Sequence, residues 1–181
     1  MKFILALIIF AFLIFFPIHC SNPYQPRSFS RAIAVMPNGE YVCDSGRDTI
    51  DIWCPYNNKV SASLRGHRSH SVTALVILPN GNLASGSMDC TIKIWNPNLE
   101  QNVALMRIIR VPGDEINALA LLQNGDLASG TKKAKIKIWN PMNGTLLRTL
   151  TGHSLSINAL VCLNNGFLAS GSRDKTIKIW N

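Results

Sequence analysis

Charged residues are scarce in this sequence, and acidic residues are the scarcer kind. Its 181 residues include 18 Lys and Arg but only ten Asp and Glu, which gives a formal net charge of +8. Charged residues make up 15% of the chain and hydrophobic residues 47%, a balance that argues against a disordered chain and indicates a packed core. The length excludes two large domains.

The sequence also lacks the clusters of residues from which metal sites and catalytic centres are built. Its five cysteines form no C-x-x-C pair and no Cys/His spacing suited to zinc. No glycine-rich phosphate-binding loop is present, and the four histidines, the aspartates and the serines are scattered rather than grouped. We therefore predict no metal, no cofactor and no catalytic residue, and expect that the protein is not an enzyme.

One long hydrophobic run stands apart from the rest of the chain. Phe3–Phe16 is a stretch of fourteen apolar residues behind a single positive charge, shorter than the ~20 residues that span a bilayer. This pattern is typical of a secretory signal peptide. We assign residues 1–20 to a signal peptide or short hydrophobic anchor, with membrane contact only through residues 3–18 if they are retained. Residues 21–30 are then a linker.

The leader decides the expected location of the protein. If it functions, the protein is secreted or enters the secretory pathway. If it is an artefact of the gene model, the protein is cytoplasmic or nuclear. In the secretory pathway, Asn143-Gly144-Thr145 matches the acceptor pattern for N-glycosylation at Asn143.

The remainder of the chain is repetitive. An Asn-Gly pair whose glycine is followed by a tryptophan 14 residues later occurs four times. The spacing from a tryptophan to the next such glycine varies only between 27 and 30 residues, so the repeat is about 42 residues long. The glycines are Gly39, Gly81, Gly125 and Gly166, and the tryptophans are Trp53, Trp95, Trp139 and Trp180.

Each repeat has the pattern of four short strands. An apolar strand precedes the Asn-Gly pair, which predicts a hairpin with a type I′ turn, because both central residues of such a turn need positive φ. A second strand such as Leu83–Ser87 follows. A third, such as Ile92–Trp95, alternates apolar and basic residues with the period of a strand that has one solvated face. A more variable fourth strand, such as Leu146–Leu150, completes the unit. The pattern predicts an all-β fold of propeller blades, each with four antiparallel strands.

Two repeats carry a longer motif. Leu-Ala-Ser-Gly-Ser-x-Asp-x-Thr-Ile-Lys-Ile-Trp-Asn occurs at Leu83–Asn96 and at Leu168–Asn181, and Gly152-His153 opens the last repeat. These motifs resemble those of the WD-repeat β-propeller family. The resemblance covers a WD-repeat segment at residues 31–181, with repeats at about 31–64, 67–109, 113–150 and 152–181.

The resemblance implies a network of four side chains that braces each blade. It consists of a His before the first strand, a Ser or Thr in the second, an Asp in the next turn and the Trp of the third. The first repeat has Arg47 at the aspartate position, the third has Lys133, and neither has the histidine. We therefore expect that two blades are stabilised by the network and that the other two are less stable. The implied networks are His67, Ser87, Asp89 and Trp95, and His153, Ser172, Asp174 and Trp180.

Four repeats predict an open arc of blades. Asn181 comes at the end of a third strand, so we expect the last blade to lack its outer strand. Ser21–Ser30 could supply that strand only poorly, because it contains two prolines. An open arc exposes unpaired edge strands and apolar faces at both ends, which favours self-association. The alternative is a closed four-bladed ring, in which the first and last blades touch.

The function expected of such repeats is binding. Variable loops on a constant scaffold make a recognition surface, and most members of the resembled family are platforms for protein interaction. We expect a non-catalytic scaffold that contacts a protein partner of unknown identity through the loops of one rim. The predicted contact residues are Arg47, Arg68, His70, Met88, Lys132, Leu155 and Arg173.

Two alternatives stay open. The positive surface could bind a polyanion or nucleic acid, although the densest basic cluster, Lys132–Lys137, has no aromatic residue interleaved for base stacking. No specific nucleic-acid site is therefore expected. The other alternative is a truncated fragment of a larger WD-repeat protein, without a function of its own.

Overall fold

The computed structural model of the protein describes residues 30–46, 48–57, 59–68, 70–99 and 104–181. These residues form fifteen β-strands and no helix. The strands make four separate antiparallel sheets, three with four strands and the last with three, and within each sheet the strands pair in chain order. This is the arrangement of propeller blades, so the predicted all-β fold is confirmed.

The four sheets are numbered as blades 1 to 4 in chain order. Blade 1 contains β1 (Ile33–Val35), β2 (Tyr41–Asp44), β3 (Thr49–Cys54) and β4 (Lys59–Arg65). Blade 2 contains β5 (Val72–Ile77), β6 (Leu83–Ser87), β7 (Thr91–Trp95) and β8 (Leu105–Arg110). Blade 3 contains β9 (Ile116–Leu121), β10 (Leu127–Thr131), β11 (Lys135–Trp139) and β12 (Leu146–Thr151). Blade 4 contains β13 (Ile157–Cys162), β14 (Leu168–Ser172) and β15 (Ile177–Trp180).

The Asn-Gly hairpin joins the first two strands of every blade, but its turn differs from the prediction. In blade 1, Gly39 N donates to Met36 O at 2.9 Å and Met36 N donates to Glu40 O at 2.8 Å, so three residues form the loop. The glycines of the four hairpins have φ between +81° and +87°, whereas none of the preceding asparagines has positive φ. The prediction of a two-residue type I′ turn was wrong: the loop has three residues and ends in a left-handed glycine.

The turn between the second and third strands contains a left-handed residue that is not glycine. Cys90, Ala134 and Lys175 occupy the same repeat position in blades 2, 3 and 4, with φ of 62°, 61° and 67°. Such a conformation costs a residue with a Cβ about 1–2 kcal/mol. In blade 1 the left-handed residue is Gly46 instead.

Blades 2 and 3, and blades 3 and 4, pack through an isoleucine of one blade and a glycine of the blade before it. Ile116, the first residue of β9, is fully buried. A Cβ added to Gly86 in β6 would lie 2.6 Å from Ile116 Cγ2, and one added to Gly130 would lie 2.7 Å from Ile157 Cγ2. Carbon atoms cannot approach so closely in a packed interior, so the contact between blades requires glycine at both positions.

The hydrophobic core is divided among the three junctions between blades. At the first junction, Ile50 and Ile52 of β3 pack with Leu75, Leu83 and Trp95 of blade 2. The third-strand isoleucines of blades 2 and 3 pack in the same way with the following blade, including its tryptophan. Burying each such side chain stabilises the fold by about 1.5–3 kcal/mol, so each blade depends on its neighbour.

The blades form an open arc. Among the described residues, the extensive contacts between sheets join only consecutive blades, through β1 and β2 with β5, β5 and β6 with β9, and β9 and β10 with β13. Ile177 in blade 4 is 77% exposed, whereas the equivalent Ile92 and Ile136 are fully buried. The described blades therefore do not close into the alternative four-bladed ring.

The predictions for residues 1–20 and for the linker up to residue 29 lie outside the described residues. Within the part of the chain that the structure describes, no helix is long and apolar enough to cross a membrane.

Candidate functional site

Blade 2 contains a chain of hydrogen bonds that begins at Trp95. Trp95 Nε1 donates to Ser85 Oγ at 2.8 Å, and Ser85 Oγ lies 2.7 Å from His67 Nε2. His67 Nδ1 lies 2.9 Å from Asp89 Oδ2, and the Thr91 hydroxyl donates to Asp89 Oδ1 at 2.5 Å. An ionised carboxylate only accepts, so Nδ1 of the histidine carries the proton and Nε2 accepts the serine hydroxyl.

Burial and hydrogen bonding set the charges in this network. Burial lowers the pKa of His67, although Asp89 opposes the shift, so the imidazole is neutral near pH 7. Burial also disfavours the ionised form of Asp89, but hydrogen bonds from His67 and Thr91 outweigh it and hold the pKa of this carboxyl well below its usual range. The Lys93 ammonium donates to Gly66 O and lies 3.3 Å from Asp89 Oδ2. Lys93 is buried, so the solvated face predicted for this strand is absent in blade 2.

Blade 4 repeats the network. Trp180 Nε1 donates to Ser170 Oγ at 2.8 Å, and this oxygen lies 2.8 Å from His153 Nε2. His153 Nδ1 lies 2.7 Å from Asp174 Oδ2. Hydrogen bonds from Thr176 and His153 hold the pKa of Asp174 well below its usual range.

The serine that joins histidine to tryptophan in blade 2 is Ser85, so the assignment of that role to Ser87 was wrong. Ser85 lies diagonal to Trp95 across the strand pair, close enough for the indole N–H to reach its hydroxyl. Ser87 lies two residues further along the strand and accepts a hydrogen bond at 3.1 Å from the backbone N–H of the following turn. The same correction holds in blade 4, where Ser170 takes the place predicted for Ser172.

Blades 1 and 3 keep only parts of the network. In blade 3, Trp139 Nε1 still donates to Ser129 Oγ at 2.8 Å, but Lys133 stands at the aspartate position. In blade 1, Cys43 occupies the place of the serine, and Trp53 Nε1 is buried without a hydrogen-bond partner among the described residues. A buried donor without a partner costs about 1–3 kcal/mol, so blade 1 is the least well satisfied of the four.

The order of serine, histidine and aspartate is that of a hydrolase triad, but its surroundings suit packing. Ser85 and His67 are fully buried, so a substrate has no path to the hydroxyl. The hydroxyl oxygen also accepts the indole N–H, which occupies a lone pair that a nucleophile needs. In the described part of the chain, no group of three or more His, Cys, Asp or Glu residues is placed to hold a metal ion. The network therefore braces the blade.

A groove lies on the loop rim where blades 3 and 4 meet. The β10–β11 turn, the β12–β13 connection and the β14–β15 turn enclose a volume of about 520 Å³. Three of the predicted contact residues, one from each loop, line it together. The residues of the groove are Lys132, Leu155 and Arg173 from that prediction, with Lys133, Ala134, Ser154 and Ser156.

The groove is basic with one apolar contact. Lys132 Nζ lies 2.7 Å from Glu115, but its side chain is 61% exposed, and an ion pair so open to water is worth only about 0–1 kcal/mol. Lys133 and Arg173 are exposed and make no ion pair with another described residue. Leu155 is 53% exposed. The groove thus presents three cations and an accessible leucine to a ligand.

The other predicted site residues lie elsewhere. Arg68 and His70 are exposed in the β4–β5 connection, and Met88 is half-buried in the β6–β7 turn. Asn143 is exposed in the β11–β12 loop, where its Oδ1 accepts the Thr145 hydroxyl at 2.8 Å. The predicted contact Arg47 lies outside the described residues.

Comparisons with known proteins agree with this architecture. A model of the WD domain, G-beta repeat, matches residues 58–96 and 144–181. The crystal structure of the computationally designed Ika4 protein is similar, with a TM-score of 0.72 and 30% sequence identity over 88% of this chain and 94% of that chain. No curated protein matches the chain.

The chain belongs to the WD-repeat β-propeller family. The matched segments end one residue after the tryptophans of blades 2 and 4, the two blades with a complete network. WD-repeat proteins generally serve as scaffolds for protein interaction and are typically not catalytic. Their function depends on the surface that the blades present, which in this chain includes the groove between blades 3 and 4.

Proposed function

We propose that the protein is a non-catalytic WD-repeat scaffold that binds a partner protein in the groove between blades 3 and 4. The observation that carries this proposal is the meeting of Lys132, Leu155 and Arg173, which come from three separate loops, around one concave surface. Concave sites with a few charged groups and an apolar anchor are typical of recognition surfaces.

The chemistry of the groove points to an acidic segment of the partner. Arg173 offers a planar guanidinium that binds a carboxylate through two hydrogen bonds, whereas Lys132 and Lys133 offer point charges. Leu155 offers a contact for one apolar side chain. We expect a peptide segment with several Asp or Glu residues beside a hydrophobic residue.

A nucleic acid fits the groove less well. No aromatic residue lines it, so bases would find no ring on which to stack. A polyanion held by charge alone remains the outcome that the experiment must distinguish, because its affinity falls steeply with salt.

The test uses two fluorescent probes of equal negative charge, a Glu-rich peptide that contains leucines and an oligothymidine. We expect the peptide to bind more tightly at near-physiological salt. Its affinity should fall at least tenfold in the double variant Lys132→Glu with Arg173→Glu, because like charges then face each other. Arg68→Glu is the matched control, since Arg68 is an exposed basic residue of a different loop on the rim.

Equal binding of both probes, with the same steep loss on adding salt, would favour the polyanion alternative. Peptide binding that is as sensitive to Arg68→Glu as to the double variant would refute the groove as the site. The same variants then serve in cell extracts, where a partner that uses the groove is lost from the double variant and kept by the control.

A further inference from the structure

The two ends of the arc expose apolar faces that correspond to the two halves of an internal junction. The face of blade 4 that points away from blade 3 is called the trailing face. It consists of Val161, Ile177 and Ile179, beside Gly171. The face of blade 1 that points away from blade 2 is called the leading face. Its apolar residues are Ile33, Val35, Tyr41, Trp53 and Val60, and the strand pairing also places the buried Cys43 and Asp51 on this face.

The trailing face has the composition of a junction that lacks its second half. Ile177 and Ile179 are 77% and 55% exposed, and Val161 is 55% exposed. Their equivalents in blade 3, Ile136 and Ile138, are buried against blade 4. A Cβ on Gly171 would meet only Ala159 of its own blade, at 3.7 Å, whereas Ile157 of the next blade occupies the space beside Gly130.

The leading face has the composition of the other half. Ile33 stands at the repeat position of Leu75, which packs on blade 1, and of Leu119, which packs beside Gly86. Ile33 is 41% exposed, Val35 54% and Val60 41%. Trp53 stands at the position of the tryptophans that cover the preceding blade at each internal junction.

We propose that a second copy of this chain covers both faces. The trailing face of each copy packs on the leading face of the other, and the two arcs close into one ring of eight blades. The sets of residues match because one chain carries both halves of the same repeated junction. The proposal is independent of the groove between blades 3 and 4.

Closure limits the assembly to two copies. Contacts between unlike faces produce either a closed ring or an open filament, according to whether the rotation closes. Propellers are known with about four to eight blades, so two arcs of four fill the largest of these rings and three would exceed it. The two junctions then form together, which strengthens both.

The junction between copies is expected to be weaker than the internal junctions. Ser30 stands where the internal junctions place Val72, Ile116 or Ile157, and its hydroxyl donates to Asp44 at 2.9 Å. With a small polar residue in place of the buried isoleucine, the pair should dissociate on dilution while each arc stays folded.

The test measures the mass of the full chain in solution over a range of concentration. Two variants each damage one face: Ile177→Asp with Ile179→Asp on the trailing face, and Ile33→Asp with Val35→Asp on the leading face. Leu147→Asp is the matched control, because Leu147 is 51% exposed on β12 and belongs to neither face. We expect two-chain particles for the natural chain and the control, and an increase in Kd of about a hundredfold for each face variant.

Mixing the two face variants gives the decisive result. In a mixed pair, one junction unites the two damaged faces and the other unites two intact faces, so mixing should restore particles that contain one copy of each variant. Pairing that survives in either variant alone, a natural chain that stays monomeric, growth beyond two chains, or a mixture that does not pair would each overturn the proposal. Thermal unfolding of each variant checks that its blades are folded. If a double variant does not fold, Ile177→Asp and Ile33→Asp are mixed instead.

Discussion

Equivalent residues form the junction between blades 3 and 4 and the outer face of blade 4. They are buried at the junction and exposed on the outer face. Ile136 is fully buried at the junction, and Ile177, at the same repeat position, is 77% exposed. Both lie on a third strand and both follow the same hairpin. The difference teaches that in this fold burial is set by the neighbouring blade, and that local sequence alone does not determine it.

The largest expected effect comes from placing a charge at these two equivalent positions. Ile136→Asp should lower the free energy of unfolding by about 4 kcal/mol or more, because it buries a carboxylate without a partner. Ile177→Asp should change it by less than about 0.5 kcal/mol, because water solvates the charge. Urea unfolding of dilute protein measures both. Equal losses would show that blade 4 is covered in the isolated chain.

Gly130 lies at the junction and Gly171 at the equivalent position of the outer face. Substituting them should have smaller effects than the charges, and these effects are steric. Gly130→Ala should cost about 1–3 kcal/mol, because the new methyl group must displace Ile157. Gly171→Ala should leave stability unchanged or raise it by up to ~1 kcal/mol, because the methyl group finds open space and the unfolded chain loses freedom. A loss at Gly171 as large as at Gly130 would contradict the open end.

The hydrogen-bond network of blade 2 should make the free energy of unfolding depend on pH. Because the folded state lowers the pKa of His67, its contribution to stability is complete above the ordinary histidine pKa of about 6.5 and falls as the pH drops below it. Acid favours unfolding in this range, because the unfolded chain binds the proton more readily than the buried imidazole does. His67→Gln should therefore flatten the profile of unfolding free energy between about pH 7 and pH 5. His70→Gln, at an exposed histidine, should not change it.

The smallest effect is expected from the left-handed residues of the β10–β11 and β14–β15 turns. It should be the same in blade 3 and in blade 4. Ala134→Gly and Lys175→Gly each replace a left-handed residue with glycine, which adopts this conformation without strain. Each should raise the free energy of unfolding by up to about 1 kcal/mol. Because the strain lies within the turn, the two gains should agree in thermal unfolding. A gain confined to blade 3 would mean that these turns, like the isoleucines, depend on the neighbouring blade.

Much of the fold follows from one spacing in the sequence. The fourteen residues between each Asn-Gly glycine and its tryptophan predict a hairpin and a third strand, and the structure has both in every blade. The turn type could not be predicted from the Asn-Gly pair, because a three-residue loop with a left-handed glycine uses the same two residues. The spacing also could not predict that Ser85, and not Ser87, lies beside the indole of Trp95, because this depends on how the two strands pair.

The candidate site was only partly predictable. Lys132, Leu155 and Arg173 could be chosen singly as loop residues, but their meeting depends on how blade 4 packs on blade 3. Arg68 and Met88 were predicted as contact residues on the same grounds, but they lie on loops outside the groove. The exposed residues at both ends were predictable as a class, since an arc must have two ends, whereas their correspondence to the halves of a junction required the packing of the internal blades.

Amide hydrogen exchange along the whole chain, at a dilution where it is monomeric, tests most directly the claim that the blades form an open arc. We predict strong protection of β6 and β10, which have a hydrogen-bonded strand on each side and a packed blade on both faces, and faster exchange along β14, which also has a strand on each side but no described blade on its outer face. Equal protection of the equivalent strands β6, β10 and β14 would contradict the open arc.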